Sequence, residues 1–304
     1  MTAPAAAAFF VLADHHGLDA DALTDPATAS VLAASALSDL DPWTGQQPQV
    51  RARALELVRP LRPLVAEVLA DPRNAWWDAP VDRARQLRVT DRDVDPGIPT
   101  APTGAGADSW WETYAQQPAD HARRRTSTEL PPAVGEPARS GVHAALGCWA
   151  GDWDPVYPLR QTRFRVPASA RVHEIRSARD WHALCLRYAD TANYAGPDTN
   201  LLDSAQLNHG PAPEWSRVAG DWDGVHLTFA GLLTALYVPV AASGVLTTLW
   251  TWEWESTLWL RPVLEEAEAL PDLAELGSAR AFRTELGSGR AFHVVGLWDD
   301  AAPG

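Results

Sequence analysis

Two glutamates in a tryptophan-rich stretch are the first candidates for chemistry. Residues 249–256 read LWTWEWES, and in a strand alternate side chains share a face. Glu253 and Glu255 would then lie side by side about 6–7 Å apart, opposite the three tryptophans. Repulsion between two such carboxylates raises the pKa of one and leaves the other ionised, so one can act as acid and the other as base. The other interpretation is a solvated edge strand, where charges prevent sheets from associating.

Two histidines also lie inside strand-like patterns. His173 belongs to RVHEI and His226 to DGVHLTF, which alternate as half-buried strands do. Histidine can transfer protons and donate hydrogen bonds near neutral pH, so the pair either contributes to a site or consists of hydrogen-bonded core residues. Glycine-rich phosphate loops, His-Glu-x-x-His and Gly-x-Ser-x-Gly are all missing from the sequence. We expect no metal, because three or four ligands at usable spacing cannot be assembled.

The charge of the chain limits its partners. The 304 residues carry a formal net charge of −14, and all 25 basic residues are arginine. This balance argues against nucleic acid and against anionic membranes as partners, and leaves a small molecule or a protein. Two cysteines are too few for a disulfide scaffold. The N-terminal apolar run has no basic residues before it and therefore does not resemble a secretory signal, so we expect the protein in the cytoplasm.

Hydrophobic periodicity divides the chain into two regions. We expect a mainly helical region at 1–140 and an α+β domain at 141–304, which pack either separately or as one unit. Its sheet should be small, twisted and partly antiparallel, with short helices. Pro60 and Pro63 should kink or split the helix at 48–71. The other expected helices are 19–40, 109–117, 177–190 with Ser177 as N-cap, 230–238 and 262–276; the expected strands are 162–166, 171–175, 223–229 and one bent strand or two in 244–260; loops are expected at 93–108 and 130–141.

A repeated pentamer and an excess of tryptophan complete the unusual features. Ala-Gly-Asp-Trp-Asp occurs at 150–154 and again at 219–223. We interpret both copies as turns, closed by Asp152 and Asp221 as Asx turns, that lead into the sheet. The chain has 15 tryptophans. These favour either a core of large aromatics or an aromatic-lined cleft for a ligand.

The ordered set RVHEIRSARDW, DWDGVHLTFAGLLTAL and TWEWESTLWL, within residues 170–260, resembles the ADP-ribosyltransferase-like fold and the small uncharacterised domains grouped with it. The resemblance implies that His173 or Arg171 holds NAD on the first strand. It places Thr228, with His226 beside it, at the second strand of the pocket. It also implies that a glutamate of Glu253-Trp254-Glu255 stabilises the oxocarbenium ion formed as nicotinamide leaves, with Glu255 favoured over Glu253.

Three functions remain open from the sequence. The resemblance implies a protein that binds NAD or a related nucleotide and transfers or hydrolyses ADP-ribose, with NAD as substrate. The alternative is a non-catalytic, tryptophan-rich binding or accessory protein of a biosynthetic or defence system. The third is a hydrolase that uses Glu253 and Glu255 on a sugar, although such pairs flank their substrate from two sides.

Overall fold

The computed structural model describes residues 3–38, 40, 47–90, 125–128, 159–189, 211, 213–249, 252 and 254–273. Its seven described α-helices are α1 (Pro4–His15), α2 (Pro26–Ser38), α3 (Gln47–Leu57), α4 (Arg62–Ala70), α5 (Ala178–Arg187), α6 (Trp215–Asp221) and α7 (Phe229–Ala235). Short 3₁₀ helices cover Ala22–Thr24, Arg59–Leu61 and Pro72–Asp78. The expected split at Pro60 and Pro63 is confirmed, because α3 ends before the first proline and α4 begins next to the second.

The nine described strands form one mixed sheet and one hairpin. They are β1 (Gln86–Thr90), β2 (Arg125–Thr128), β3 (Leu159–Arg165), β4 (Val172–Ile175), β5 (Gly224–Leu227), β6 (Val240–Ala242), β7 (Val245–Thr247), β8 (Ser256–Trp259) and β9 (Glu265–Leu273). The seven-stranded sheet has the order β4-β5-β8-β2-β1-β3-β9, and β6 pairs with β7. Only β4 and β5 are parallel among these pairs. The protein is therefore α+β with a largely antiparallel sheet, as expected.

Strands from both sides of residue 140 pair with one another. β1 and β2 lie in the first 140 residues, yet they occupy the middle of the sheet between β8 and β3. β2 pairs with β8 and β1 pairs with β3, both antiparallel. The described residues before and after position 140 are consequently joined by backbone hydrogen bonds within one sheet.

The helices cover one face of the sheet. Helix α1 is almost entirely buried, and its Phe9 makes edge-on ring contacts with Trp77 and with Phe229 of α7. The same core contains Ile175, Val225, Leu227 and Leu258 from the sheet. Because neighbouring residues of a strand point to opposite faces, the residues that alternate with these belong to the other face.

The expected helix at 262–276 is wrong. The structure places strand β9 (Glu265–Leu273) there, paired with β3. Pro271 would have interrupted a helix, whereas a strand at the edge of a sheet tolerates it. Two cross-strand ion pairs fit the strand register: Arg163 lies 2.7 Å from Glu268, and Arg165 lies 4.0 Å from Glu265. Pairing with β3 thus overrides the helical pattern of the sequence.

The strand expected through residues 249–256 is wrong for its described residues, since Trp252, Trp254 and Glu255 lie outside any strand, although the wider segment does form two strands. β7 ends at Thr247 and β8 begins at Ser256. The indole Nε1 of Trp252 donates to Ser256 Oγ at 3.0 Å, and four residues of extended chain, spanning about 13 Å, could not bring these atoms together. Trp250, Thr251 and Glu253 lie outside the described residues, as do the helix expected at 109–117, the loops at 93–108 and 130–141 and the first pentamer.

Candidate functional site

A row of polar side chains crosses the face of the sheet opposite the helices. The register pairs Glu174 of β4 with His226 of β5, His226 with Thr257 of β8, and Thr257 with Thr126 of β2. Directly paired residues project to the same face, so these four side chains lie next to one another. His226, Thr257 and Thr126 are all buried. A continuous polar row in a buried position is uncommon in a sheet, because each polar atom must find a partner.

His226 lies between two carboxylates. Its Nδ1 is 2.5 Å from Glu174 Oε2, and its Nε2 is 2.8 Å from Glu255 Oε1. The His226 side chain is only 2% exposed and that of Glu255 only 7%. Both ring nitrogens face an acceptor, and only the imidazolium form of histidine carries a proton on each. The geometry therefore fits a protonated His226 that donates in two directions.

The pKa of His226 follows from two opposing effects. Complete burial on its own lowers the pKa, but the hydrogen bonds to Glu174 and Glu255 and the attraction of their charges outweigh burial and raise the pKa to about 9. His226 is consequently charged at neutral pH. The cluster thus places two carboxyl side chains, Glu174 and Glu255, around one cationic ring.

Neighbouring elements fix both carboxylates of the cluster. Glu174 Oε1 accepts the Val81 backbone N–H at 3.1 Å, which ties β4 to the chain that leads into β1. The Glu255 backbone carbonyl accepts from Ser127 Oγ of β2 at 3.1 Å. Glu255 directly precedes β8, which is an inner strand between β5 and β2, so it does not lie at an edge of the sheet. The solvated-edge interpretation is therefore wrong for Glu255.

Within the described ranges, a buried hydroxyl next to the cluster has no hydrogen-bond partner. Thr126 Oγ1 accepts from Trp259 Nε1 at 2.7 Å and donates to Gln86 Oε1 at 2.6 Å, so that hydroxyl is fully used. Thr257 Oγ1 is buried and, in the described part of the chain, makes no hydrogen bond. An unmade hydrogen bond at a buried hydroxyl is unfavourable. Thr257 therefore keeps an unused hydrogen-bonding hydroxyl beside His226 on this face of the sheet.

His173 and Arg171 do not join this cluster. His173 precedes Glu174 on β4 and so faces the other side of the sheet, where its ring lies 5.3 Å from that of Trp222. Burial lowers the pKa of His173, although the charges of Asp180 and Glu174 oppose this effect. Arg171 lies before β4 with its side chain half exposed, 3.9 Å from Asp223.

Thr228 caps a helix instead of lining the cluster. Its Oγ1 accepts from the Gly231 backbone N–H at 2.9 Å at the start of α7 and donates to the Ile175 carbonyl at 3.3 Å. An N-cap threonine satisfies a backbone donor that would otherwise lack a partner. Among the residues expected from the sequence, the structure brings together His226 and Glu255, while Glu253 lies outside the described residues.

Glu174 is the functional candidate that the sequence analysis missed. The one feature of the sequence that could have indicated it is its charge, because Glu174 lies inside the four-residue strand VHEI, on the same face as Val172. Burial of such a residue requires a partner. That partner, His226, follows 52 residues later, and no periodicity in the sequence connects two positions so far apart.

The second copy of the pentamer forms the end of α6 and the approach to β5. Asp221 does not close an Asx turn as expected: its carboxylate accepts from Tyr188 OH at 2.6 Å and pairs with Arg187 at 2.8 Å. The Tyr188 hydrogen bond and the charge of Arg187 hold the pKa of Asp221 below its usual value, against a smaller effect of burial. Asp223 accepts the Arg171 backbone N–H at 2.7 Å. This contact helps to set the register of β4 and β5 that places Glu174 beside His226.

The described tryptophans are packing residues to a large degree. Trp77, Trp181, Trp252 and Trp259 are buried. Trp76, Trp215, Trp222 and Trp254 are half-buried, so none of the tryptophans in the described ranges is exposed. Six of them belong to, or pack against, the core that the helices share with the sheet: Trp76, Trp77, Trp181, Trp215, Trp222 and Trp252. Trp259 lies in a smaller apolar cluster with Phe164 and Leu264.

The described residues contain no group of three or more histidine, cysteine or acidic side chains arranged to hold a metal. They also contain no helix with the length and apolar character needed to cross a membrane. No family model matches the chain, no curated protein is significantly similar to it, and no solved structure is significantly similar to its fold.

Proposed function

We propose that the cluster of Glu174, His226 and Glu255 binds NAD or a related nucleotide and promotes cleavage of its glycosidic bond, as the resemblance to ADP-ribosyltransferases implies. The observation that supports this most is the Glu255 carboxylate, buried on the sheet and hydrogen-bonded to His226 at 2.8 Å. A fixed carboxylate stabilises positive charge that develops in a transition state, especially where water is excluded.

The charge of the cluster favours this chemistry. The cluster has two carboxyl side chains for one imidazolium, which suits a ligand that is cationic or becomes so. NAD satisfies both conditions, since its pyridinium ring is cationic and its ribose becomes an oxocarbenium ion. The Thr257 hydroxyl, which is buried without a partner in the described residues, supplies a hydrogen bond to a ribose hydroxyl or to the carboxamide of the nicotinamide ring.

The proposed reaction breaks one bond and forms one. The C1′–N1 bond of NAD breaks and its electron pair stays on N1, which releases neutral nicotinamide. Glu255 stabilises the resulting ribosyl cation. Water or an acceptor hydroxyl then forms a bond to C1′ and loses a proton, which gives ADP-ribose or an ADP-ribosylated acceptor. His226 orients Glu255 and does not accept this proton, since both of its nitrogens already donate.

Incubation of the full chain with NAD tests the proposal. We expect nicotinamide release, measured by chromatography, and NAD binding, measured by calorimetry, for the natural sequence. Glu255→Gln keeps the shape and an acceptor for His226 but removes the charge, so release should fall by about 100-fold or more. Glu268→Gln is the matched control, because Glu268 is an exposed strand glutamate in an ion pair with Arg163 and its loss should leave release unchanged. Two results would contradict the proposal. One is a natural chain that shows no binding heat with NAD and releases no nicotinamide; the other is a Glu255→Gln variant that releases nicotinamide as fast as the natural chain.

A further inference from the structure

A buried arginine in helix α3 has no anionic partner among the described residues. Arg51 is only 8% exposed, and its Nε and Nη2 atoms are enclosed without a hydrogen-bond acceptor in the described part of the chain. Its guanidinium carbon lies 4.3 Å from the centre of the Tyr237 ring. Its neighbour on the same helix, Arg53, instead pairs with Glu56 at 3.2 Å near the surface.

The two unpartnered nitrogens of Arg51 form one edge of the guanidinium group. The N–H bonds on this edge are parallel, and arginine uses such a pair to bind two oxygens of one carboxylate or phosphate group. The Tyr237 ring, 4.3 Å from the guanidinium carbon, attracts its charge, but it does not replace the oxygen acceptors that these N–H groups otherwise bind. The edge of the group is therefore left for another acceptor.

The charge of Arg51 persists in this buried position. Burial lowers its pKa, partly opposed by Tyr237, to about 10, so the side chain stays protonated at neutral pH. A buried cation without a counter-ion or a full set of hydrogen bonds is unfavourable. An anion placed on the free edge would supply both.

Tyr237 is held in place by its backbone. Its φ angle is 59°, in the left-handed region that residues other than glycine seldom adopt, and its backbone N–H donates to the Leu249 carbonyl at 2.9 Å. The backbone that carries the ring is therefore fixed next to Arg51.

We propose that Arg51 binds a small oxyanion, a carboxylate or a phosphate group, through Nε and Nη2, while its guanidinium stays in contact with the Tyr237 ring. This site is independent of the cluster around His226. The bound group belongs either to a free anion or to a larger ligand that ends in such a group.

Thermal unfolding in the presence of different anions tests the site. Phosphate, acetate and chloride are titrated at constant ionic strength, so that only specific binding raises the melting temperature. The natural chain should show a saturable rise with phosphate or with acetate beyond that with chloride, and the stronger of the two identifies the group preferred. Arg51→Met keeps the length and apolar stem but should abolish the rise. Arg53→Met, the matched control on the same helix, should leave it unchanged.

Two results would overturn the proposal: no saturable rise in the natural chain with either oxyanion, or an equal rise in Arg51→Met. If Arg51→Met does not fold, Arg51→Lys replaces it. Lysine keeps the charge but lacks the paired edge, so the affinity for the anion should fall at least tenfold. Unchanged affinity in Arg51→Lys would count against the bidentate contact in the same way.

Discussion

His226 donates from both ring nitrogens, to the half-buried carboxylate of Glu174 and the buried one of Glu255, and its charge therefore stabilises the folded chain. Glu174 and Glu255 would repel each other on the sheet without the imidazolium between them. The pair of hydrogen bonds, at 2.5 and 2.8 Å, also fixes the direction of both carboxylates. The arrangement of the two carboxylates thus depends on the protonation of His226.

The stability of the protein should depend on pH through His226. Its pKa in the folded chain, about 9, lies above the 6.5 of a free histidine. The resulting stabilisation is fully present below pH 6.5 and is lost as the pH rises to about 9. We expect the free energy of unfolding, measured with urea, to fall by a few kcal/mol over this interval. In His226→Gln this fall should be missing.

His15→Gln provides the control for this measurement. His15 lies exposed at the end of α1, away from the cluster, so its replacement should leave the fall between pH 6.5 and 9 in place. A fall of equal size in His226→Gln would mean that other groups cause it.

Helix α7 connects the strand that carries His226 to the helical layer. It begins directly after β5, with Thr228 as its N-cap, and its Phe229 packs against Phe9 of α1 at 6.1 Å between ring centres. Gly231 lies against the end of β4, where an added Cβ would be 2.2 Å from the Ile175 carbonyl oxygen. The close approach of this helix to the strand therefore requires glycine.

Gly231→Ala should destabilise the protein. The nearest atom is backbone, which cannot rotate away, so α7 must shift from β4 at a cost of about 1–3 kcal/mol. Chemical denaturation measures the loss. Gly220→Ala is the matched control, since Gly220 lies in α6 with no atom near the added Cβ, and helix propensity predicts unchanged or slightly raised stability. Equal stability of Gly231→Ala and the natural chain would contradict this packing.

The sheet unites the two halves of the chain. Its central strands β2 and β1 come from the first 140 residues, and the outer strands on both sides come from later residues. Removal of the first 140 residues would leave β8 and β3 without the two strands between them. Their backbone donors and acceptors would then lack partners, which is strongly unfavourable in a buried sheet.

A fragment of residues 141–304 should therefore not fold alone. We expect circular dichroism without a cooperative thermal transition for the fragment and a single transition for the full chain. Co-expression with residues 1–140 should restore folding by supplying β1 and β2. A stable, cooperatively unfolding fragment would show instead that the sheet forms without its middle strands.

Local sequence patterns determined much of the secondary structure. Apolar spacing and prolines predicted α3 and α4, and alternation predicted β3, β4 and β5, because these patterns depend on neighbouring residues. The same reasoning predicted His226 and Glu255 as site residues. It failed for β9, where ion pairs with Arg163 and Arg165 and pairing with β3 decided the structure against an equally plausible helical pattern.

The tertiary structure alone decided how the site is assembled. Glu174, His226 and Glu255 meet because β4 pairs in parallel with β5 and β8 pairs with the other edge of β5. The same pairing turned His173 to the opposite face and made Thr228 a helix cap. Strand order and register arise from contacts between residues far apart in the chain, and a shift of one residue would exchange the two faces. The sequence determined which side chains were available, and the sheet determined which of them came together.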